Sequence, residues 1–215
     1  MKKIHNSFLE SSKQKLSSLL EYYQAERYDE AEKLALSITQ EFPENKVAWK
    51  VLAAVLKQNG KINEALIVCQ KSVELDPQDA EALKNLGILQ QEQNRLKEAE
   101  ESFRKAIVLK PNFALAYTNL GTLLQTQGKL NEAEVSYKKA IAVKPDYAEA
   151  YNNLGVILKD LGKLGEACSA FIQAINLNPY STDTYVNLGI AIENMRFNSS
   201  NVKLYPLLIR LLGSE

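Results

Sequence analysis

Histidine is nearly missing from this chain: its 215 residues hold one, His5. A triad or acid–base pair built on imidazole therefore has no material in the body of the chain. Cysteine is almost as scarce. Cys69 and Cys168 lie far apart, outside any CxxC or Cys/His ligand spacing. Both read as small buried apolar side chains, and neither a metal centre nor a disulfide is expected. Net charge is absent too, since 26 basic residues cancel 26 acidic ones. That balance argues against nucleic acid or an anionic membrane as the main partner. No apolar run approaches the roughly 18 residues of a membrane span. Met1-Lys-Lys-Ile opens like a signal sequence, but His5-Asn-Ser-Phe-Leu-Glu-Ser-Ser-Lys13 supplies no apolar core. The segment reads as the lead-in to a first helix, and the expected location is the cytoplasm. The glycines form no phosphate loop. No cofactor is expected, and the protein is read as no enzyme.

What the chain does have is a period. Pro43, Pro77, Pro111, Pro145 and Pro179 follow one another at a constant 34 residues. Leu52, Leu86, Leu120, Leu154 and Leu188 keep the same step, each followed by a small residue: Ala53, Gly87, Gly121, Gly155 and Gly189. Trp49, Tyr117, Tyr151 and Tyr185 form an aromatic column, broken by Leu83. Later in each unit come Ala31, Ala65, Ala99, Ala133 and Ala167, then Phe103, Tyr137 and Phe171, then Ala106, Ala140 and Ala174. Fixed spacing over this length means one structural unit copied end to end.

Each unit reads as two helices. Tyr151, Leu154 and Leu158 make one helical stripe, and Leu164, Ala167, Phe171, Ala174 and Ile175 make another. Gly162 stands between them, where a helix must end and the chain must turn back. The prolines suit the first turn of each new helix, with Asp76 and Asn178 as N-caps. A glycine inside a helix costs about 1 kcal/mol against alanine, so the Leu-Gly column needs a close helix approach to explain it. Glu30, Glu64, Glu98, Glu132 and Glu166 read as first-turn acids favoured by the helix dipole.

The fragment Ala148-Glu-Ala-Tyr-Asn-Asn-Leu-Gly155, with Gly162, Glu166-Ala167, Phe171, Ala174 and Pro179, resembles the tetratricopeptide repeat family. The resemblance covers about residues 12–196. It implies an all-α, right-handed solenoid of antiparallel helix pairs. The expected units are about 12–45, 46–79, 80–113, 114–147 and 148–181, then a partial 182–196. The first is a modified repeat, and the last loses its turn glycine to Arg196. Residues 197–215 are expected to form a C-terminal capping helix, with Val202 to Leu212 as its candidate, or a junction to a further domain.

Asn85, Asn119, Asn153 and Asn187 precede the Leu-Gly pair in four successive units. Each sits one residue, about 100°, off the packing stripe. The resemblance implies that first helices line a concave groove, so these asparagines would form a ladder along it. A similar ladder is associated with the repeat domain of the O-linked N-acetylglucosamine transferases. An amide offers both donor and acceptor and can hold a peptide backbone of any sequence; the alternative is that the asparagines bond adjacent repeats. The candidate groove set is Asn85, Asn119, Asn153 and Asn187 with Lys50, Lys84, Thr122 and Asn152. Glu81, Glu92, Glu149, Asp160 and Asp183 on the same faces predict a preference for neutral or basic peptides. A clamp for acidic C-termini is not expected, because Ala54 and Leu115 stand where the family's clamp has asparagine and lysine. The function expected is a protein- or peptide-binding scaffold, with self-association through its ends also open. The alternative is a recognition or oligomerisation arm of a larger glycosyl-, sulfo- or methyltransferase.

Overall fold

The computed structural model describes the backbone of residues 2–198 and the side-chain packing of residues 13–195. Among the described residues the fold is all-α. Eleven helices follow in order: α1 (Lys2–Gln24), α2 (Tyr28–Glu41), α3 (Lys46–Gln58), α4 (Ile62–Leu75), α5 (Ala80–Glu92), α6 (Leu96–Leu109), α7 (Ala114–Thr126), α8 (Leu130–Val143), α9 (Ala148–Asp160), α10 (Leu164–Leu177) and α11 (Thr182–Asn198). The chain divides into two compact units, 1–119 and 120–215, and the division falls inside α7. In the first unit α2 packs on α3 and α4 on α5; in the second, α8 packs on α9 and α10 on α11. The lead-in expected before the first helix is itself helical, since α1 begins at Lys2. The expected capping helix lies outside the described residues.

Within a pair, the turn is a left-handed C-cap. Gly60, Gly128 and Gly162 have φ of 73–75°, as the sequence reading requires of Gly162. The Lys61 N–H donates to the Leu56 carbonyl, and the Gly60 N–H to that of Lys57, closing a Schellman motif. Glu26 and Asn94 hold the same place with φ of 56° and 57°. Where Arg196 replaces the glycine, α11 continues through the position and reaches 17 residues.

The prolines do not start helices. Each stands one residue beyond the C-cap of a second helix, as Pro77 follows Asp76 after α4. The residue before a proline is barred from the α region. Accordingly Phe42, Asp76, Lys110, Lys144 and Asn178 are extended, with ψ of 72, 81, 83, 89 and 87°. Asp76 and Asn178 are thus C-caps. The N-cap side chains are Asn45, which accepts from Ala48 N–H, and Asp79, which accepts from Glu81 and Ala82 N–H.

The apolar columns make the core. Ala31, Ala65, Ala99, Ala133 and Ala167 are fully buried, as are Phe103, Tyr137 and Phe171. Gly87, Gly121 and Gly155 have the expected close approach, but Gly189 does not, since a Cβ there would meet nothing within 4 Å. A Cβ at Gly87, Gly121 or Gly155 would lie 2.7, 2.7 and 2.6 Å from the ring of Phe103, Tyr137 or Phe171. The glutamate column sits in the first turn of α2, α4, α6, α8 and α10, where the dipole favours it.

Candidate peptide-binding site

The packing stripe turns Leu86 and Leu154 inward, which leaves Asn85 and Asn153 half-buried at the edge of their helices. Asn119 and Asn187 are half-buried in the same register. Asn85 and Asn119 belong to the first unit, Asn153 and Asn187 to the second.

In the first unit, α1, α3 and α5 border a half-open cleft of about 290 Å³. Tyr23 borders it from α1, Ala53, Ala54 and Lys57 from α3, and Lys84, Asn85 and Leu89 from α5. Asn85 makes no hydrogen bond there. The lysines on the rim are already paired. Lys57 Nζ lies 2.8 Å from Glu92 Oε1, and Lys84 Nζ lies 3.2 Å from Glu81 Oε2. Lys84 also lies 5.7 Å from the Phe113 ring centre. Lys50 is not on this rim. It bridges to Asp79 Oδ2 at 2.7 Å, the carboxylate that caps α5. Burial raises the Asp79 pKa, but hydrogen bonds from Lys50 and the two backbone amides outweigh it and hold the group below its ordinary value. Asn119 has its Nδ2 buried without a hydrogen-bond partner.

In the second unit the asparagines bond one another. Asn187 Nδ2 donates to Asn152 Oδ1 at 3.2 Å, and Asn152 Nδ2 approaches Asn153 Oδ1 at 3.4 Å. Asn152 is therefore a link between α9 and α11. Thr122 is engaged elsewhere: its hydroxyl lies 3.1 Å from the Tyr137 hydroxyl. Burial pushes the Tyr137 phenol pKa up, while the Thr122 hydrogen bond opposes the rise.

The acidic character of these first-helix faces is smaller than their carboxylates suggest. Besides the Glu81 and Glu92 pairs, Lys110 lies 3.4 Å from Glu81, and Lys159 3.6 Å from Asp160. Lysines pair with three of these carboxylates, Glu81, Glu92 and Asp160.

A second set of polar contacts was not singled out from sequence. Glu32 on α2 accepts from Lys61 Nζ at 2.6 Å and Asn59 Nδ2 at 2.7 Å, at the turn between α3 and α4. Glu134 on α8 accepts from Lys163 Nζ at 2.8 Å, at the turn between α9 and α10. Both pairs span 29 residues and tie one repeat to the next. The signal was present in sequence, as a glutamate and a lysine at one fixed offset in two units. Reading down columns of like residues does not reveal it. Among the described residues no helix is long and apolar enough to cross a membrane.

Helix pairs repeating every 34 residues, with their polar ladder on the first helices, define a helical-repeat scaffold. Tetratricopeptide repeat patterns match residues 22–86, 80–113, 102–135 and 148–181, and a TPR repeat pattern matches 126–162. The chain belongs to the tetratricopeptide repeat family. No curated protein sequence matches it. Among solved structures it is similar to PilW, described as a widely conserved type IV pilus biogenesis factor. The identity is 24% over 86% of this chain and 88% of that one, with a TM-score of 0.77. It is similar to MamA at 24% identity over 81% and 95% of the two chains, with a TM-score of 0.70. The third is YrrB, described as a TPR protein with an unusual peptide-binding site, at 17% identity over 83% and 96% of the chains and a TM-score of 0.67. These likenesses show the fold.

Proposed function

We propose that the protein is a non-catalytic scaffold whose first helices hold an extended segment of a partner protein. The observation that carries this reading is the asparagine column. Asn85, Asn119, Asn153 and Asn187 sit at one register on α5, α7, α9 and α11, beside the packing stripe and half-exposed. Each amide can meet the donor and acceptor of a peptide group. The zero net charge supports a protein partner over nucleic acid.

Titration of a labelled peptide library by fluorescence anisotropy tests the reading. Replacing all four asparagines by alanine is expected to weaken binding at least tenfold, at about 0.5–1.5 kcal/mol per hydrogen bond. The loss should be similar for peptides of different sequence. A library with no binding member, or unchanged affinity in the fourfold variant, would refute it.

A further inference from the structure

We infer that the open stripe of α11 is the seat of residues 204–212 of this same chain, and that the ring of Tyr205 lies on Gly189 there as Phe171 lies on Gly155.

α11 carries the packing stripe of the earlier first helices without their cover. On α9 the stripe is Tyr151, Leu154, Gly155 and Leu158; Tyr151 is half-buried and the other three are buried. At the same 34-residue step α11 holds Tyr185, Leu188, Gly189 and Ile192. Here Tyr185 and Gly189 are exposed, and Leu188 and Ile192 are half-buried. The difference centres on the glycine. A Cβ at Gly87, Gly121 or Gly155 would strike an aromatic ring, whereas one at Gly189 would meet nothing within 4 Å. A glycine inside a helix costs about 1 kcal/mol, and on α11 no ring among the described residues offsets it.

The missing ring has an address in the sequence. Phe103 follows Gly87 by 16 residues, Tyr137 follows Gly121 and Phe171 follows Gly155 at the same distance. Tyr205 follows Gly189 by the same 16. Its neighbours keep the phase. Leu204, Leu208 and Ile209 fall on the columns of Ala170, Ala174 and Ile175 in α10, where Ala170 and Ala174 are buried. Tyr205, Leu208, Ile209 and Leu212 recur at i, i+3, i+4 and i+7, one apolar helix face. Laid on Tyr185, Leu188 and Ile192, that face takes two apolar surfaces out of water together.

The route to the seat differs from the earlier repeats. Arg196 stands where a turn glycine would be, and α11 runs on to Asn198. That end lies about 13.5 Å past Gly189 at 1.5 Å per residue. A return must also cross the 8–10 Å between packed helices, about 16 Å in all. The chain from Asn198 to Tyr205 spans about 10 Å as helix and up to about 23 Å when extended. The return is therefore extended. Pro206 agrees with this, since it bars the α region to Tyr205 and suits the first turn of a helix. The docked helix starts at its ring, whereas α10 starts at Leu164, before Phe171.

The test is amide hydrogen exchange of the full chain, read by mass spectrometry, with light scattering at the same concentrations. Tyr205→Ala should speed exchange of amides 188–192 by about tenfold or more and leave α3 unchanged. Tyr205→Phe keeps the ring and should keep the original rate. Gly189→Ala should speed the same amides in the unmodified chain, where its Cβ meets the ring. In the Tyr205→Ala chain it should slow them, because the space is empty. Unchanged exchange of α11 in Tyr205→Ala would overturn the inference, as would slower exchange in Gly189→Ala alone. Equal acceleration on α3 would assign the ring to the fold at large and not to this seat. Protection of α11 that grows with concentration alongside a dimer mass would give the seat to a second copy, and the inference would fall.

Discussion

A Cβ added to Gly155 would stand 2.6 Å from the Phe171 ring, which is fully buried and has no room to retreat. The glycine costs about 1 kcal/mol of helix propensity, and the packing of the ring offsets it. The earlier repeats solve the same space differently: Ala53 in α3 stands in the glycine column while Cys69 in α4 stands in the aromatic column, and both are buried. A larger residue on one helix goes with a smaller one on the other, as dense packing demands. Gly155→Ala is therefore expected to destabilise by about 1–3 kcal/mol through overpacking. Gly189→Ala should do the opposite in a Tyr205→Ala chain. It lies inside α11, and a Cβ there meets nothing within 4 Å. A gain of about 0.5–1 kcal/mol is expected, from the entropy glycine loses on folding. Urea denaturation of the two variants measures both signs, and a shared sign would contradict the packing account. Burial also explains the thiols. It pushes the Cys69 pKa up to about 12, so that group should resist alkylation at neutral pH in the folded protein.

At the scale of the element, the turns and the latches between repeats decide stability. Glu26 closes α1 at φ 56°, a conformation that costs an L-residue roughly 1–2 kcal/mol. Gly60, Gly128 and Gly162 occupy the equivalent place. Glu26→Gly is expected to raise the melting temperature, with about 1 kcal/mol as the scale of the gain. The buried Glu134 carboxylate is held below its ordinary pKa by hydrogen bonds from Lys138 and Lys163, against the opposing effect of desolvation. A carboxyl depressed in the folded state contributes stability that is complete above its unfolded pKa and is lost as pH falls through the folded value. The melting temperature should therefore fall as pH drops below about 4.5. Glu134→Gln should flatten that acid limb while leaving the rest of the profile shape unchanged. An identical slope in both proteins would mean that the latch carries no acid sensitivity.

At the scale of the whole molecule, helices pack mainly on their neighbours in sequence, α3 on α4 and α4 on α5, or α9 on α10 and α10 on α11. Stability in such an array is approximately a sum over repeats and their interfaces. Ala65 on α4, which packs on α3 and α5, and Ala167 on α10, which packs on α9 and α11, are both fully buried. Ala65→Leu and Ala167→Leu should each cost about 1–3 kcal/mol by overpacking. Combined, their costs should add to within about 0.3–0.5 kcal/mol. Strong non-additivity in denaturation would show coupling beyond nearest neighbours.

The sequence by itself determined the helix pairs, their period and the inward face of each. Those follow from where apolar residues recur, and Leu86, Phe103 and Ala106 are buried where the period puts them. Gly162 was legible as a turn because only glycine enters φ of 75° without strain. The prolines were legible as boundaries but not as to which side of the boundary they serve. Pro77 is equally suited to starting a helix and to following one, and the backbone of Asp76 shows that it follows α4. The candidate site was half legible. The register of Asn85, Asn119, Asn153 and Asn187 comes from spacing alone. Which of them is free depends on neighbours that spacing does not report: Asn152 reaching Asn187 between α9 and α11, or Glu92 reaching Lys57 between α3 and α5. Only the tertiary structure decided that these four like residues have unlike hydrogen-bonding capacity. Periodicity constrains a side chain along its own helix, while the partners of its polar atoms are set by the packing of other helices against it.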